Sequence, residues 1–206
     1  PELLDRLAGA TPPAAIHLLA DNAGPELLAD LLLADALLRL GDTRVVFHCK
    51  PWPMFVSDAL VDDVRATVDG LRAHPAAAAR AAGDRLSDAL ARARLRAETH
   101  VAWGEPRHFD ALDADLTGAL AAAGLVLAKG DLNYRRFVGD RDWPIDTPAA
   151  DASAAVPFTA FALRVLKSDT LVGVTPAAAA RAAALSPGWR TDGTHALVQR
   201  LGGGRG

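Results

Sequence analysis

Ile16-His17-Leu18-Leu19-Ala20, then Asp21-Asn22-Ala23-Gly24-Pro25-Glu26, then the mostly apolar residues 27–40, then Arg44-Val45-Val46-Phe47-His48-Cys49: this run decides the fold. Its first five residues are an apolar run of strand length. Pro25 suits the first turn of a helix, and the Glu26 carboxylate is favourable at the positive end of the helix dipole. Residues 27–40 have helix length, and Gly41 stops them. Their wide apolar surface predicts burial rather than a solvent-facing position. Residues 44–49 are a second strand. Strand, helix and strand of these lengths make a right-handed parallel βαβ unit, hence an α/β fold. In such sheets ligands bind beyond the carboxyl ends of the strands.

Outward from this unit, residues from about 59 to 98 are rich in Ala, Arg and Asp without alternation. They predict two helices, broken near His74-Pro75. Residues 109–123 predict another helix, stopped by Gly124. Leu125-Val126-Leu127-Ala128 reads as a buried strand and Leu171-Val172-Gly173-Val174 as a fourth. Pro176 opens a helix to Leu185, and Ala196-Leu197-Val198-Gln199 is a last strand. One domain over 1–201 is expected, with residues 202–206 as a flexible tail.

Composition narrows the classes. Half of the 206 residues are apolar and 23% are charged, which is globular rather than disordered. A net charge of -3 implies no broad attraction to nucleic acid or an anionic membrane. No apolar run approaches the roughly 20 residues of a membrane-crossing helix. Cys49 is the single cysteine, so an internal disulfide and a cysteine-rich zinc site are excluded. The first residue is Pro1 rather than Met, so a fragment or processed chain is expected, in a reducing cytoplasm by default.

Three polar clusters follow predicted strands. Asp21-Asn22 follows the first. Alone it would be a helix cap. His48-Cys49-Lys50-Pro51-Trp52-Pro53 and Phe55-Val56-Ser57-Asp58 follow the second. Alone they would be a Pro-rich loop, with Ser57 or Asp58 capping the next helix. The third is Lys129-Gly130-Asp131-Leu132-Asn133-Tyr134-Arg135-Arg136-Phe137, with Gly139-Asp140-Arg141 and Trp143. Alone it would be a surface loop of Arg–Asp pairs. Together they converge on one kind of edge, which favours a ligand over three coincidences. Asp21, Asn22, Asp58 and Asp131 are hard oxygen donors, suited to Mg²⁺, Mn²⁺ or a similar ion. Lys129, Arg135 and Arg136 suit phosphate. Lys167, in Arg164-Val165-Leu166-Lys167, adds a point charge ahead of the expected fourth strand.

These motifs resemble the damage-control phosphatase family, in its sugar-phosphate phosphatase subfamily III. That metal-binding domain has also been described as an acidic-residue (protein-glutamate) O-methyltransferase. Asp21-Asn22-Ala23-Gly24 with Glu26 is similar to the subfamily's DNAG-x-E motif, with Pro25 in place of a bulky apolar residue. Phe47-His48-Cys49-Lys50 and Phe55-Val56-Ser57-Asp58 resemble its FHCK and FVSD stretches. The segment from Lys129 through Trp143 resembles KGDLNYRKL-x-GDR-x-W, with Arg136 and Phe137 replacing Lys and Leu. Arg164-x-x-Lys167 resembles its RTxK motif, with Val165 for Thr. The resemblance covers about residues 15 to 200.

The resemblance implies a three-layer α/β/α sandwich with a mostly parallel sheet and an inserted helical segment. It implies metal ligation by Asp21, Asn22 and Asp58. Substrate would be bound by Asp21, Asn22, Asp131, Leu132, Asn133, Tyr134, Arg135 and Lys167. Glu26 and Asp58 match positions assigned to a methyl donor. The leading expectation is an enzyme that hydrolyses small phosphomonoesters such as sugar phosphates with Mn²⁺, Ni²⁺, Co²⁺ or Mg²⁺. Its partner would be a small phosphorylated metabolite. Asp58 or Asp131 would accept the proton of the attacking water, or Asp21 would attack directly. Methyl transfer from S-adenosylmethionine ranks second. It calls for a glycine-rich turn, and residues 21–25 hold one glycine. The family resembled also carries a helical region, with an LWGN-type motif, that residues 1–206 do not contain. A truncated domain that binds metal and phosphometabolite without turnover is therefore the third expectation.

Overall fold

The computed structural model describes residues 2–9 and 13–203. The chain falls into two compact units, residues 1–105 with 123–126 and residues 106–122 with 127–206. Both are built from strands and helices. Within them the strands pair parallel, except at one edge, so the α/β class holds.

The first unit opens with a helix the sequence reading did not assign, α1 (Glu2–Ala8). β1 (Ala15–Leu19), α2 (Pro25–Leu37) and β2 (Arg44–Cys49) follow close to the predicted bounds. α3 (Val61–Arg72) and α4 (Ala77–Ala91) are the two helices expected around His74-Pro75. A strand missed in the sequence, β3 (Leu95–Thr99), comes next. The order is β3-β2-β1, all parallel, with Ile16 opposite Val45 and Val45 opposite Leu95. β2 is central, and five of its six residues are buried, which is why it reads as a continuous apolar run. β3 lies at the edge of this row. Its Leu95-Arg96-Ala97-Glu98-Thr99 buries only Leu95, so its composition reads as helix surface.

α2 starts where predicted, with Pro25 in its first turn and Gly24 as N-cap at φ 69°. Leu27, Leu31 and Ala34 are fully buried. Leu28 and Leu32 stay 36% and 44% exposed, so the wide apolar surface is only partly used. The buried residues recur at three- and four-residue spacing, as expected for a helix covering one face of a sheet.

The second unit holds a 3₁₀ turn at Phe109–Ala111, then α5 (Ala114–Ala121), the last three residues of β4 (Leu125–Lys129) and α6 (Gly130–Val138). α7 (Ala149–Ala152), β5 (Ala160–Val165), α8 (Pro176–Leu185) and β6 (Ala196–Leu201) complete it. β5 pairs parallel with β4 and antiparallel with β6. The helix expected over 109–123 is shorter. Phe109 is pulled into an aromatic cluster with Phe137 and Phe158, at centroid distances of 4.5 and 5.9 Å, and the chain is extended at Leu112 before α5 begins.

The strand expected at 171–174 is not a strand; the strand is β5. Leu171 and Val172 are buried, but side chains serve the Val172 backbone in place of a ladder. Val172 N–H donates to the Tyr134 hydroxyl at 3.1 Å, and Gln199 Nε2 donates to the Val172 carbonyl at 3.0 Å. At the expected tail, Gly202 N–H donates to Ser153 Oγ and Gly203 N–H to the Val156 carbonyl, so these two glycines are anchored. Residues 204–206 lie outside the described residues. Among the described residues no helix is long and apolar enough to cross a membrane.

Candidate functional site

In the first unit the segments after β1 and β2 are laced together. Asn22 and Asp58 form an isolated antiparallel bridge. Ala23 N–H donates to the Ser57 carbonyl at 2.7 Å, and Ala59 N–H to the Asp21 carbonyl at 2.9 Å. Side chains follow the backbone. Ser57 Oγ donates to Asn22 Oδ1 at 2.6 Å. Asn22 Nδ2 donates to both Asp21 Oδ2 and Glu26 Oε2, each at 2.8 Å. Asp58 Oδ2 accepts the N–H groups of Met54 and Phe55 at 2.9 and 2.8 Å, so one carboxylate oxygen shapes the loop and Oδ1 takes no part. Asp21 and Asp58 are 8% and 5% exposed.

This geometry removes the capping explanations. The N-cap of α2 is Gly24, with no side-chain bond, so Asp21 and Asn22 cap nothing. The N-cap of α3 is Leu60, whose N–H goes to Asp63 Oδ2, so Ser57 and Asp58 cap nothing either. Among the described residues no group of three or more His, Cys, Asp or Glu side chains is placed to hold a metal. The cluster instead combines two buried carboxylates with an amide oxygen. That set fits a hard cation that takes one or two carboxylates and keeps several waters.

The same strands carry a histidine pair that the sequence reading did not anticipate. His17 Nδ1 and His48 Nε2 are 2.8 Å apart, one donating and one accepting, with rings stacked at 5.0 Å. Trp103 meets the His48 ring edge-on at 5.3 Å. Burial, with His17 and His100 nearby, pushes His48 down to about 3. Burial raises the neighbouring Cys49 thiol to about 12, so it is no nucleophile.

In the second unit the long signature is a helix rather than a loop. α6 begins at Gly130 directly after β4 and ends at Gly139, whose left-handed φ of 79° is the usual helix stop. Asp140 is also left-handed, at φ 49°, a conformation Asp tolerates better than most residues. The reversal folds Asp140 back on Arg135, giving a two-pronged ion pair at 2.7 and 2.5 Å. Each group stabilises the other's charge, raising Arg135 and lowering Asp140.

The remaining predicted residues differ in exposure. Asn133 is buried, and its Nδ2 donates to the Lys129 carbonyl. Tyr134 is fully buried, with its hydroxyl donating to Gln199 Oε1 and accepting from Val172, and burial raises its pKa. Asp131 and Leu132 are half-buried. Arg136 is buried, donates to the Arg107 carbonyl at 2.6 Å and lies over the Phe109 ring. Lys167 is exposed and has no hydrogen bond or ion pair among the described residues. It follows β5, where the sequence reading had placed it just before a strand at 171–174.

Arg164 was given no role of its own by the sequence reading. It is the largest fully buried side chain among the described residues, and it pairs with Asp131. The signal was present. In Ala160-Phe161-Ala162-Leu163-Arg164-Val165 a charge interrupts an apolar strand, and an arginine there must find a partner.

Residues 1–181 match the family model described as the damage-control phosphatase ARMT1-like domain. The chain is 35% identical over 196 residues to the damage-control phosphatase ARMT1 of Rattus norvegicus, covering 92% of this chain and 45% of that protein. It is 34% identical over 189 residues to the Xenopus tropicalis protein of the same name, covering 89% and 43%. The chain thus spans about half the length of the curated relatives it matches. A DUF89 family protein from Pyrococcus horikoshii superposes with a TM-score of 0.49 and 17% identity, over 82% of this chain and 45% of that one. With identity above 30% along nearly the whole sequence and a family model over residues 1–181, the chain belongs to the damage-control phosphatase ARMT1-like domain family.

Proposed function

We propose that this chain hydrolyses small phosphomonoesters, sugar phosphates among them, in a reaction that depends on a divalent cation. The observation that supports this most is the lacing of Asn22 to Asp58. It gathers two buried carboxylates and an amide oxygen that cap no helix. Asp21, Asn22 and Asp58 would hold the cation, and Mn²⁺, Ni²⁺, Co²⁺ and Mg²⁺ all suit such donors. When bound, the cation supplies Lewis acidity and neutralises phosphoryl charge.

The rest falls to side chains. Ser57 and Glu26 orient the Asn22 amide from either side. Asp58 or Asp131 takes a proton from the attacking water, or Asp21 attacks phosphorus itself. Lys167 meets the phosphoryl oxygens as a compact point charge. Arg135 shares its charge with Asp140, so its pull on phosphate is weaker than that of Lys167. Asn133 and Tyr134 support the substrate residues from within the core rather than by touching substrate.

The test is metal dependence. Protein stripped with chelator, with loss confirmed by elemental analysis, is assayed on p-nitrophenyl phosphate and on a panel of sugar phosphates. Turnover should vanish and return with Mn²⁺, Co²⁺, Ni²⁺ or Mg²⁺. Undiminished turnover in excess chelator, or no turnover with any of these ions, sinks the reading. Metal-independent methylation of protein carboxylates would favour methyl transfer instead.

A further inference from the structure

Arg164 has no part in the chemistry above, yet its side chain is 0% exposed. A buried guanidinium is costly unless its donors are satisfied, so its partners show what it serves. Its hydrogen-bond partners are Asp131, one of the residues assigned to substrate, and two residues within three positions of Lys167, another of them. Nε donates to Asp131 Oδ1 at 2.7 Å, and one terminal nitrogen lies 2.6 Å from the same oxygen. That nitrogen also donates to Ser168 Oγ at 2.8 Å and the Ser168 carbonyl at 3.1 Å. The other terminal nitrogen donates to the Thr170 carbonyl at 2.6 Å. The flat face of the guanidinium lies 4.3 Å from the Tyr134 ring centroid. Ser168 Oγ closes the set by donating to Asp131 Oδ1 at 3.1 Å.

Two consequences follow. Asp131 Oδ1 is fully engaged, while Oδ2 takes no hydrogen bond among the described residues and the side chain keeps 17% of its surface exposed. Lys167, meanwhile, stands between two pinned neighbours. Leu166 exchanges backbone bonds with His195 and Gly193, and Ser168 is held by Arg164. A single planar fork thus orients a carboxylate on α6 and fixes the loop that carries the exposed lysine. An ammonium cannot span these partners, because its three donors radiate from one point.

We propose that Arg164 is the positioning residue of the substrate-binding half. It aims Asp131 Oδ2 and holds the backbone that presents Lys167, and its kinetic effect rests on the phosphatase reading above.

Arg164→Lys keeps the charge and removes the fork. With its cation restored, this variant should lose roughly 10²-fold in kcat/KM on the best sugar phosphate, the scale of a misplacement of about 1 Å. Ser168→Ala removes the hydroxyl that links Arg164 to Asp131 and should lose less, in the same direction. The double variant Arg164→Lys with Asp131→Asn should lose clearly less than the product of the two single losses, because part of the Arg164 effect runs through Asp131, and the remainder is the share that runs through the Lys167 backbone. Backbone amides at 130–134 and 166–170 should exchange faster in Arg164→Lys while the rest of the chain does not.

Wild-type kcat/KM in a folded Arg164→Lys overturns the proposal, as do additive losses in the double variant. If Arg164→Lys does not fold, Ser168→Ala decides: a loss supports the proposal and wild-type kinetics overturn it. If the wild-type chain hydrolyses no phosphoester, the phosphatase reading fails by itself. Amide exchange in Ser168→Ala and Arg164→Lys then settles the positioning role. Unchanged protection at both segments refutes it.

Discussion

Replacing Asp58 with Asn separates the two jobs of its carboxylate. Oδ2 accepts the N–H groups of Met54 and Phe55, and the proposed cation would be met by Oδ1. An amide oxygen can take over the first job, but an amide nitrogen in the Oδ1 position repels a cation. A hydrogen bond to a charged group contributes about 1.5–3 kcal/mol when buried. Phe55 is 55% exposed, so its N–H can fall back on water, and the two bonds together contribute about 2–3 kcal/mol. Asp58→Ala should therefore lower Tm by about 4–12 °C, at roughly 2–4 °C per kcal/mol for a chain of this size. Asp58→Asn exchanges charged bonds for neutral ones, costing about 1 kcal/mol and about 2–4 °C.

The cation response should differ far more. An ion at 100 times its Kd stabilises the folded state by about 2.7 kcal/mol, which is about 5–10 °C in wild type. In Asp58→Asn that rise should be absent. The assay is a pair of thermal melts, with Mn²⁺ and with chelator, read beside titration calorimetry. A wild-type rise in Asp58→Asn refutes the ligand assignment. An Asp58→Asn that melts as low as Asp58→Ala refutes the division of labour between the two oxygens.

Two further perturbations test other parts of the molecule. His48 is held near 3 in the folded chain against an ordinary 6.5, so the unfolded chain binds the extra proton between these values. Stability from this group is complete above about 6.5 and falls as pH drops toward 3, by about 1.4 kcal/mol per unit. His48→Gln should flatten the acid limb, narrowing the difference between urea melts at pH 6.5 and 5 by about 2 kcal/mol; an unchanged difference goes against the buried-pair account. Lys167→Ala should cost roughly 2–4 kcal/mol in kcat/KM while leaving Tm and cation binding alone, since the side chain is exposed. Lys167→Arg should recover only part of this, and an Ala variant equal to wild type would remove Lys167 from the site.

Much of the fold was legible because its signals are local. The apolar runs at 16–20, 44–49 and 125–128 are long enough to mark strands without their partners. Pro25 and Pro176 start helices for a reason internal to one residue, a fixed backbone angle. The misreadings share a cause. β3 is charged because only one of its residues is buried, so alternation fails to announce it. Residues 171–174 are apolar, and Leu171 and Val172 are buried, yet they form no strand: the Tyr134 hydroxyl and the Gln199 amide serve Val172, and Gly173 and Val174 donate to the Thr147 and Ile145 carbonyls. Burial without a ladder looks the same in sequence as burial within one.

The site divides along the same line. The sequence by itself determined which chemistry is available: hard oxygens at 21, 22 and 58, and cations with a carboxylate at 129–136 and 167. Residue types carry their charge and donor count wherever they fold. Only the tertiary structure decided which of these groups are committed to one another. It joined Asn22 to Ser57 and Asp58 across 35 and 36 positions of chain, spent Arg135 on Asp140, buried Tyr134, and left Lys167 exposed. It also set Arg164 against Asp131, 33 residues away. Such pairings depend on distances that loops and strand order create, and a buried charge takes the partner that packing brings to it.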